Sequence, residues 1–301
     1  LGHIEGGHII RSGEGIKDAT SVTLLSLVLG AAAIAAGGAE AGMGIMGLGQ
    51  QAAMSRFLAF SRAQESSADL AGARYLHTAG ISGRGSLEFF KKLQNQEYRL
   101  AIPQDNSYGR THPLSGERIN VLREVYAVDP AWDKPIDPQL EARFERIKAK
   151  LIGFVSEPQQ TLIKYPESDQ SLPAHYARAY AWHKSAYPQK ALAEADALLA
   201  AEPHDPYFLE LKGQILLESG RPADAVAPLR EAVRRTNQPL ISVLLAHALI
   251  ATEDPANFAE AEQVLRVAVQ RDRENPFAWY QLGVVYERRG DTPRAALATA
   301  E

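Results

Sequence analysis

A chain of 301 residues, 46% hydrophobic and 23% charged, has room for two domains with buried cores and an ordinary globular composition. Its formal net charge of −4 and its scattered basic residues give no electrostatic footprint for nucleic acid. The absence of cysteine excludes disulfide frameworks, thiolate metal sites and Cys nucleophiles.

Residues 1 to about 12 predict the tail of a helix, broken near Ser12-Gly13. It carries His3 and His8, five apart. On a continuous helix of ~100° per residue these point roughly 140° away from each other. They cannot grip one ion together, and His8 is expected to be structural, on the back face. A zinc-binding helix needs two His four apart with a Glu beside the first. If His3 is the second His of such a motif, Leu1 and Gly2 are its middle residues, and the first His and the Glu lie upstream of Leu1. Glu5 follows His3 by two, on a different face, and cannot stand in for that Glu.

Residues 19–36 are uncharged and apolar almost all round, and a second apolar stretch runs from Ala41 to about Met54 after the Gly37-Gly38 break. Each is near or below the ~20 residues of a spanning helix. The segment at about 19–54 therefore reads as a helical hairpin, either packed on the domain core or attached to a membrane surface. Helical pattern resumes from about Gln51 to His77 and puts Glu65 and Asp69 one turn apart on one face. By itself that pair is an ordinary solvated face. Further helices are predicted at Ser86–Arg99 and Leu114–Val128, flanking a loop with Asn106, Ser107 and Gly109 that would let His112 swing. Thr111 or Ser115 with Pro113 could instead simply cap the next helix. A charged helix at Glu141–Phe154 is expected to close the first domain at about residue 155, with a linker over 156–171.

From 172 onwards the chain repeats. Ala191, Ala225, Ala261 and Ala295 recur at intervals of 34, 36 and 34, the period of tetratricopeptide helix pairs. Trp279, Leu282, Gly283, Tyr286 and Gly290 fit the last unit's pattern, and Gly213, Gly220, Leu229 and Ala232 the second. Asp205-Pro206 and Asn275-Pro276 mark helix starts, and Glu253-Asp254-Pro255 is an insertion in the third unit. Three full units and a shortened fourth are expected, stacked because one pair cannot bury its own apolar face. Trp182, Tyr207, Phe208, Trp279 and Tyr280 are read as mainly repeat core. His77, His175, His183, His204 and His247 have no metal spacing. No nucleophile elbow and no phosphate-binding Gly motif with Lys-Ser/Thr is present.

In combination, Gly2-His3, the small-residue apolar stretch, Arg62-Ala-Gln-Glu65-Ser-Ser-Ala-Asp69-Leu-Ala-Gly72, Thr111-His112-Pro113-Leu114 with Arg118, and the repeats follow a known order. The sequence resembles the BepA-like zinc metalloproteases, in the peptidase family of the CAAX prenyl endopeptidase and HtpX, over nearly all of its length. The resemblance implies a mainly α protein: a helical zincin-type metalloprotease domain, lacking its upstream His-Glu, followed by a tetratricopeptide α-solenoid. It implies Zn2+ held by His3 and Glu65, with His112 as a candidate autoinhibitory fourth ligand or substrate contact. Asp69 would orient a ligating imidazole, and Arg62 would balance the extra negative charge.

The function implied is a zinc-dependent endopeptidase acting on polypeptides in periplasmic quality control of outer-membrane proteins. Its repeats would bind substrates or protein partners, and its hairpin would contact a membrane surface. The 301 residues alone, without the general base, are expected to be inactive. The alternative is a non-catalytic repeat scaffold or chaperone on a degenerate protease domain.

Overall fold

Every regular element among the described residues, 1–104 and 110–301 of the computed structural model, is a helix. Asn106, Ser107 and Gly109 lie outside them. Contacts divide the chain into two units, Leu1–Asp137 and Pro138–Glu301.

In the first unit, α1 (Gly2–Glu5) is a single turn, followed by the long antiparallel pair α2 (His8–Ala35) and α3 (Ala39–Ala79). The predicted break near Ser12-Gly13 is absent, and α2 runs straight through it. The chain breaks earlier, at Gly6-Gly7, where Gly7 takes a left-handed φ of 60° that glycine adopts without strain. The stretches predicted separately at 41–54 and 51–77 are one helix of 41 residues. A seam of small residues joins α2 to α3: a Cβ on Gly49 would lie 1.9 Å from the Ser26 Cβ, and one on Gly30 would lie 2.7 Å from the Gly42 carbonyl. The large residues of the hairpin, Leu24, Leu25, Val28, Met43 and Leu48 among them, stay exposed. By length and composition α2 could cross a membrane. The unit's true core lies further along, where α4 (Arg84–Arg99) and α5 (Ser115–Tyr126) pack Leu87, Phe90, Ile119, Leu122 and Tyr126 against Ala73 of α3.

The charged helix expected to close that domain is α6 (Pro138–Val155), and it belongs to the second unit. Gly153 of α6 comes so close to α8 (Leu172–Lys184) that a Cβ would meet the Ala177 carbonyl at 2.8 Å, and Ala149 shares a core with Ala174 and Ala177. The division therefore falls at 137/138 rather than near 155. The expected linker contains a helix of its own, α7 (Pro158–Lys164). Arg178 of α8, 1% exposed, fastens the following stretch by donating to the carbonyls of Pro166 and Asp169 and to Glu194.

Four antiparallel pairs follow: α8 with α9 (Pro188–Ala201), α10 (Pro206–Glu218) with α11 (Pro222–Arg235), α12 (Pro239–Ala251) with α13 (Phe258–Arg271), and α14 (Pro276–Arg288) with the shorter α15 (Thr292–Ala300). Asp205 and Asn275 cap α10 and α14 through their side chains, as their sequence places predict. Ala191, Ala225 and Ala261 are fully buried. Gly213 lies against Leu229, where a Cβ would meet the side chain at 2.4 Å. Of the aromatics assigned to the core, Phe208 is buried, whereas Tyr207 and Tyr280 reach the surface.

Candidate active site

The site begins with how α1 reaches α3. Gly2 packs on the backbone of Ala68, where a Cβ would lie 2.4 Å from the carbonyl oxygen, so only glycine allows this approach. One residue on, His3 turns its Nε2 towards Glu65, 3.6 Å from Oε1. That is too long for a hydrogen bond. Glu65 is a buried acid on α3. Its Oε1 also lies 3.0 Å from Nδ1 of His112, which comes from the segment before α5. Three residues separated by up to 109 positions thus meet at one carboxylate oxygen. Among the described residues, no three His, Asp or Glu side chains already form a closed ligand set.

Asp69, one turn beyond Glu65, binds an arginine rather than an imidazole. Both of its oxygens accept from Arg118 of α5, at 2.7 and 2.6 Å. Arg118 also lies 3.4 Å from Oε2 of Glu65 and rests 4.3 Å over the Phe90 ring. It balances charge here, joining the two acids on α3 through one planar guanidinium. Arg62 lines the same cleft as Asp69, Pro113 and Arg118.

His8 is the residue that sequence reasoning misplaced. Its ring is buried and meets His3 directly, Nδ1 to Nδ1 at 2.9 Å, with its Nε2 3.1 Å from the Ser67 hydroxyl. The 140° argument holds only on a continuous helix, and the Gly6-Gly7 break removes that condition. Those two glycines were the available signal. Glu5 is engaged by the Tyr75 hydroxyl of α3, which donates to its carboxylate. That bond is the main cause raising the Tyr75 pKa.

The capping alternative for Thr111 and Ser115 is not what the structure shows. Leu114 occupies the cap of α5 without a side-chain bond. Ser115 gives both its backbone N–H and its hydroxyl to Glu97, and Thr111 accepts from Ser61 of α3 through its carbonyl. That last bond fastens the His112 segment beside the site.

A buried carboxylate faced by two imidazoles is the donor chemistry that Zn2+ favours. Residues 1–126 match the model of Peptidase family M48. The first unit carries an M48 peptidase domain. Residues 187–238 and 245–301 match the Tetratricopeptide repeat model, which fits the helix pairs of the second unit. Among curated proteins, the chain is similar to the beta-barrel assembly-enhancing protease of Yersinia pestis, 23% identical over 264 residues, covering 85% of this chain and 53% of that protein. The protein of the same name from Escherichia coli (strain K12) is 22% identical over 286 residues, covering 93% of this chain and 57% of that one. The chain thus spans about half the length of the curated relatives it matches.

Among solved structures, MamA from Desulfovibrio magneticus RS-1 (residues 41 to the end) is 20% identical with a TM-score of 0.45, covering 53% of this chain and 92% of that one. YrrB, described as a TPR protein with an unusual peptide-binding site, is 20% identical with a TM-score of 0.43, covering 54% of this chain and 84% of its own.

Proposed function

We propose that this chain carries part of the zinc site of a metalloendopeptidase, together with a repeat module that binds substrates or partner proteins. The observation that supports it best is the meeting of His3 Nε2 and His112 Nδ1 at Glu65 Oε1 within an M48 domain. His3 and Glu65 would hold the metal. Bound zinc would supply Lewis acidity and lower the pKa of a water molecule. Arg118 holds Asp69 and stands beside Glu65, which keeps the acidic face of α3 in place and partly neutralised. His112, fastened through Thr111 and facing the same carboxylate oxygen, acts as a latch that withholds the site until its segment moves.

In this reading the protein works on periplasmic polypeptides, in the quality control of outer-membrane proteins; the relatives' name, beta-barrel assembly-enhancing protease, is compatible with it. The exposed apolar hairpin would rest on a membrane surface. The 301 residues by themselves contain no His-Glu-x-x-His, so they bind zinc weakly and do not cleave peptides.

The competing reading is a repeat scaffold or chaperone on a protease-derived domain that no longer cuts. It is favoured by the carboxylate of Glu65 already facing Arg118 and two imidazoles. The test is zinc content and casein cleavage by the protein with its native sequence upstream of Leu1, beside Glu65→Gln. Stoichiometric zinc and cleavage, both lost in the variant, are expected. Zinc without cleavage, with activity appearing in His112→Ala, identifies the latch. Equal zinc content in both proteins, or none in either, overturns the metal reading and leaves the scaffold.

A further inference from the structure

Between α3 and the His3 ring lies a short chain of hydrogen bonds whose directions turn on one proton, that of the Ser67 hydroxyl. It starts at Ser67, whose hydroxyl donates to the Gln64 carbonyl one turn back on α3 at 3.0 Å. A hydroxyl has a single proton. With that proton on the Gln64 carbonyl, the 3.1 Å contact between Ser67 Oγ and His8 Nε2 has the imidazole donating; with it on His8 Nε2 the whole chain would run the other way. A neutral imidazole carries one N–H, so Nδ1 of His8 must then be an acceptor. Nδ1 of His8 lies 2.9 Å from Nδ1 of His3, with the two rings edge to face at 81°. In the first arrangement the proton between them belongs to His3. A neutral His3 with its proton on Nδ1 has none on Nε2. The 3.6 Å separation of that Nε2 from Glu65 Oε1 fits, because no hydrogen bond spans it.

We propose that His8 is a positioning residue: held by Ser67, it accepts the Nδ1 proton of His3 and leaves the Nε2 lone pair of His3 facing Glu65. Its value as a donor to a metal rests on the zinc reading above; the tautomer itself does not. The backbone is shaped for this arrangement. Gly7 turns the chain so that His8 starts a new helix beside His3, and a Cβ on Gly6 would lie 2.2 Å from the His8 Nε2. Side chains five apart, divergent on one helix, become partners across a two-glycine break. An imidazole that ligates a metal through one nitrogen is commonly oriented by a hydrogen bond from the other, usually to a carboxylate, carbonyl or water. Here a second imidazole serves as that acceptor, and a serine fixes its own tautomer.

The test is the tautomer of His3, read from long-range 1H–15N correlation spectra of the 15N-His-labelled chain at pH 8, with the signals assigned by His3→Gln. The wild type is expected to show a protonated Nδ1 and an unprotonated Nε2. In His8→Phe the signal should move to the Nε2-protonated or a mixed state, and His8→Gln, whose amide oxygen can accept, should restore it. Ser67→Ala, at an exposed position where folding is not at stake, should shift it partway. An Nε2-protonated His3 in the wild type, or a spectrum unchanged by both His8→Phe and Ser67→Ala, overturns the proposal.

Zinc affinity of the same variants, made in the protein with its native sequence upstream of Leu1 and measured by competition with a chromophoric chelator, separates this from the metal reading. A fall of about tenfold or more in His8→Phe, recovered in His8→Gln, is expected. If zinc binding is lost in His3→Gln but untouched by His8→Phe, the metal site stands and His8 has no part in it. If none of the proteins binds zinc, the metal reading fails, and the spectra alone decide the role of His8.

Discussion

The α2–α3 hairpin and the tetratricopeptide pairs are built on the same device and differ in what happens to their outer faces. In both, glycine and small side chains let two antiparallel helices approach until a single added carbon would collide: Gly49 on Ser26 in the hairpin, Gly213 on Leu229 in the repeats. In the repeats each pair then stacks on the next, so Leu229, Leu245, Leu249 and Leu265 are almost wholly buried. In the hairpin no described element of its unit stacks on the outer face, and Leu25, Val28, Met43 and Leu48 are more than half exposed. Close approach of two helices is thus a local property of sequence. Burial of large side chains needs a third element.

The largest effect should come from removing the same leucine side chain in the two settings. Leu229→Ala in the repeat core should destabilise the second unit by about 2–5 kcal/mol, from lost transfer energy and the cavity left behind. Leu25→Ala on the hairpin should change stability by no more than about 0.5 kcal/mol. Denaturant midpoints of the two variants check this. Should the hairpin face lie on lipid, Leu25→Ser with Val28→Ser would also lower co-sedimentation with anionic vesicles at unchanged stability. A stability loss in Leu25→Ala comparable to that in Leu229→Ala would mean that the hairpin face is covered within the protein.

A smaller effect tests the seams. Gly213→Ala and Gly49→Ala each gain helix propensity but force a collision, and overpacking typically costs about 1–3 kcal/mol. The loss should be fuller at Gly213, because stacked pairs on either side hold the helices in place, whereas the hairpin can splay. Gly72→Ala in α3 is the control. A Cβ there meets nothing within 4 Å, so the substitution should stabilise by roughly 0.5–1 kcal/mol. Equal losses at Gly213 and Gly49 would show that the hairpin is held as firmly as the repeats.

The smallest effect is on pH dependence, and it sharpens the picture of how adjacent repeat helices are joined. Arg230 donates two hydrogen bonds, at 2.8 and 2.7 Å, to Glu260, which holds that carboxyl below its ordinary value of 4.5. A folded-state pKa lowered in this way adds stability above the ordinary value, lost as pH falls through the lowered one. Denaturant midpoints between pH 5 and 3 should drop in the wild type, and Arg230→Met should remove part of that slope.

Most of the second unit was legible because its signals are local. The spacing of Ala191, Ala225 and Ala261, the caps at Asp205 and Asn275 and the glycine at Gly213 each act within one helix pair. The repeating pattern could therefore be read without knowing what lay elsewhere. Glu65 and Asp69 were legible as a pair for the same reason. Their partners were only partly so. The resemblance placed His3, His112 and Arg118 in one domain, yet it did not tell that Arg118, 49 positions away, binds Asp69. The assignment of α6 also failed at this level, because an amphipathic helix does not record which neighbour covers it.

The sequence alone determined the helices, the repeat register and the residue types a metal site would need, since propensity, capping and periodicity are written in runs of neighbouring residues. The tertiary structure decided that His8 meets His3, that Arg118 binds Asp69, and that α6 packs with the repeats. Each of these depends on a backbone break or a long-range contact, and the direction a chain takes after two glycines is set by what it packs against.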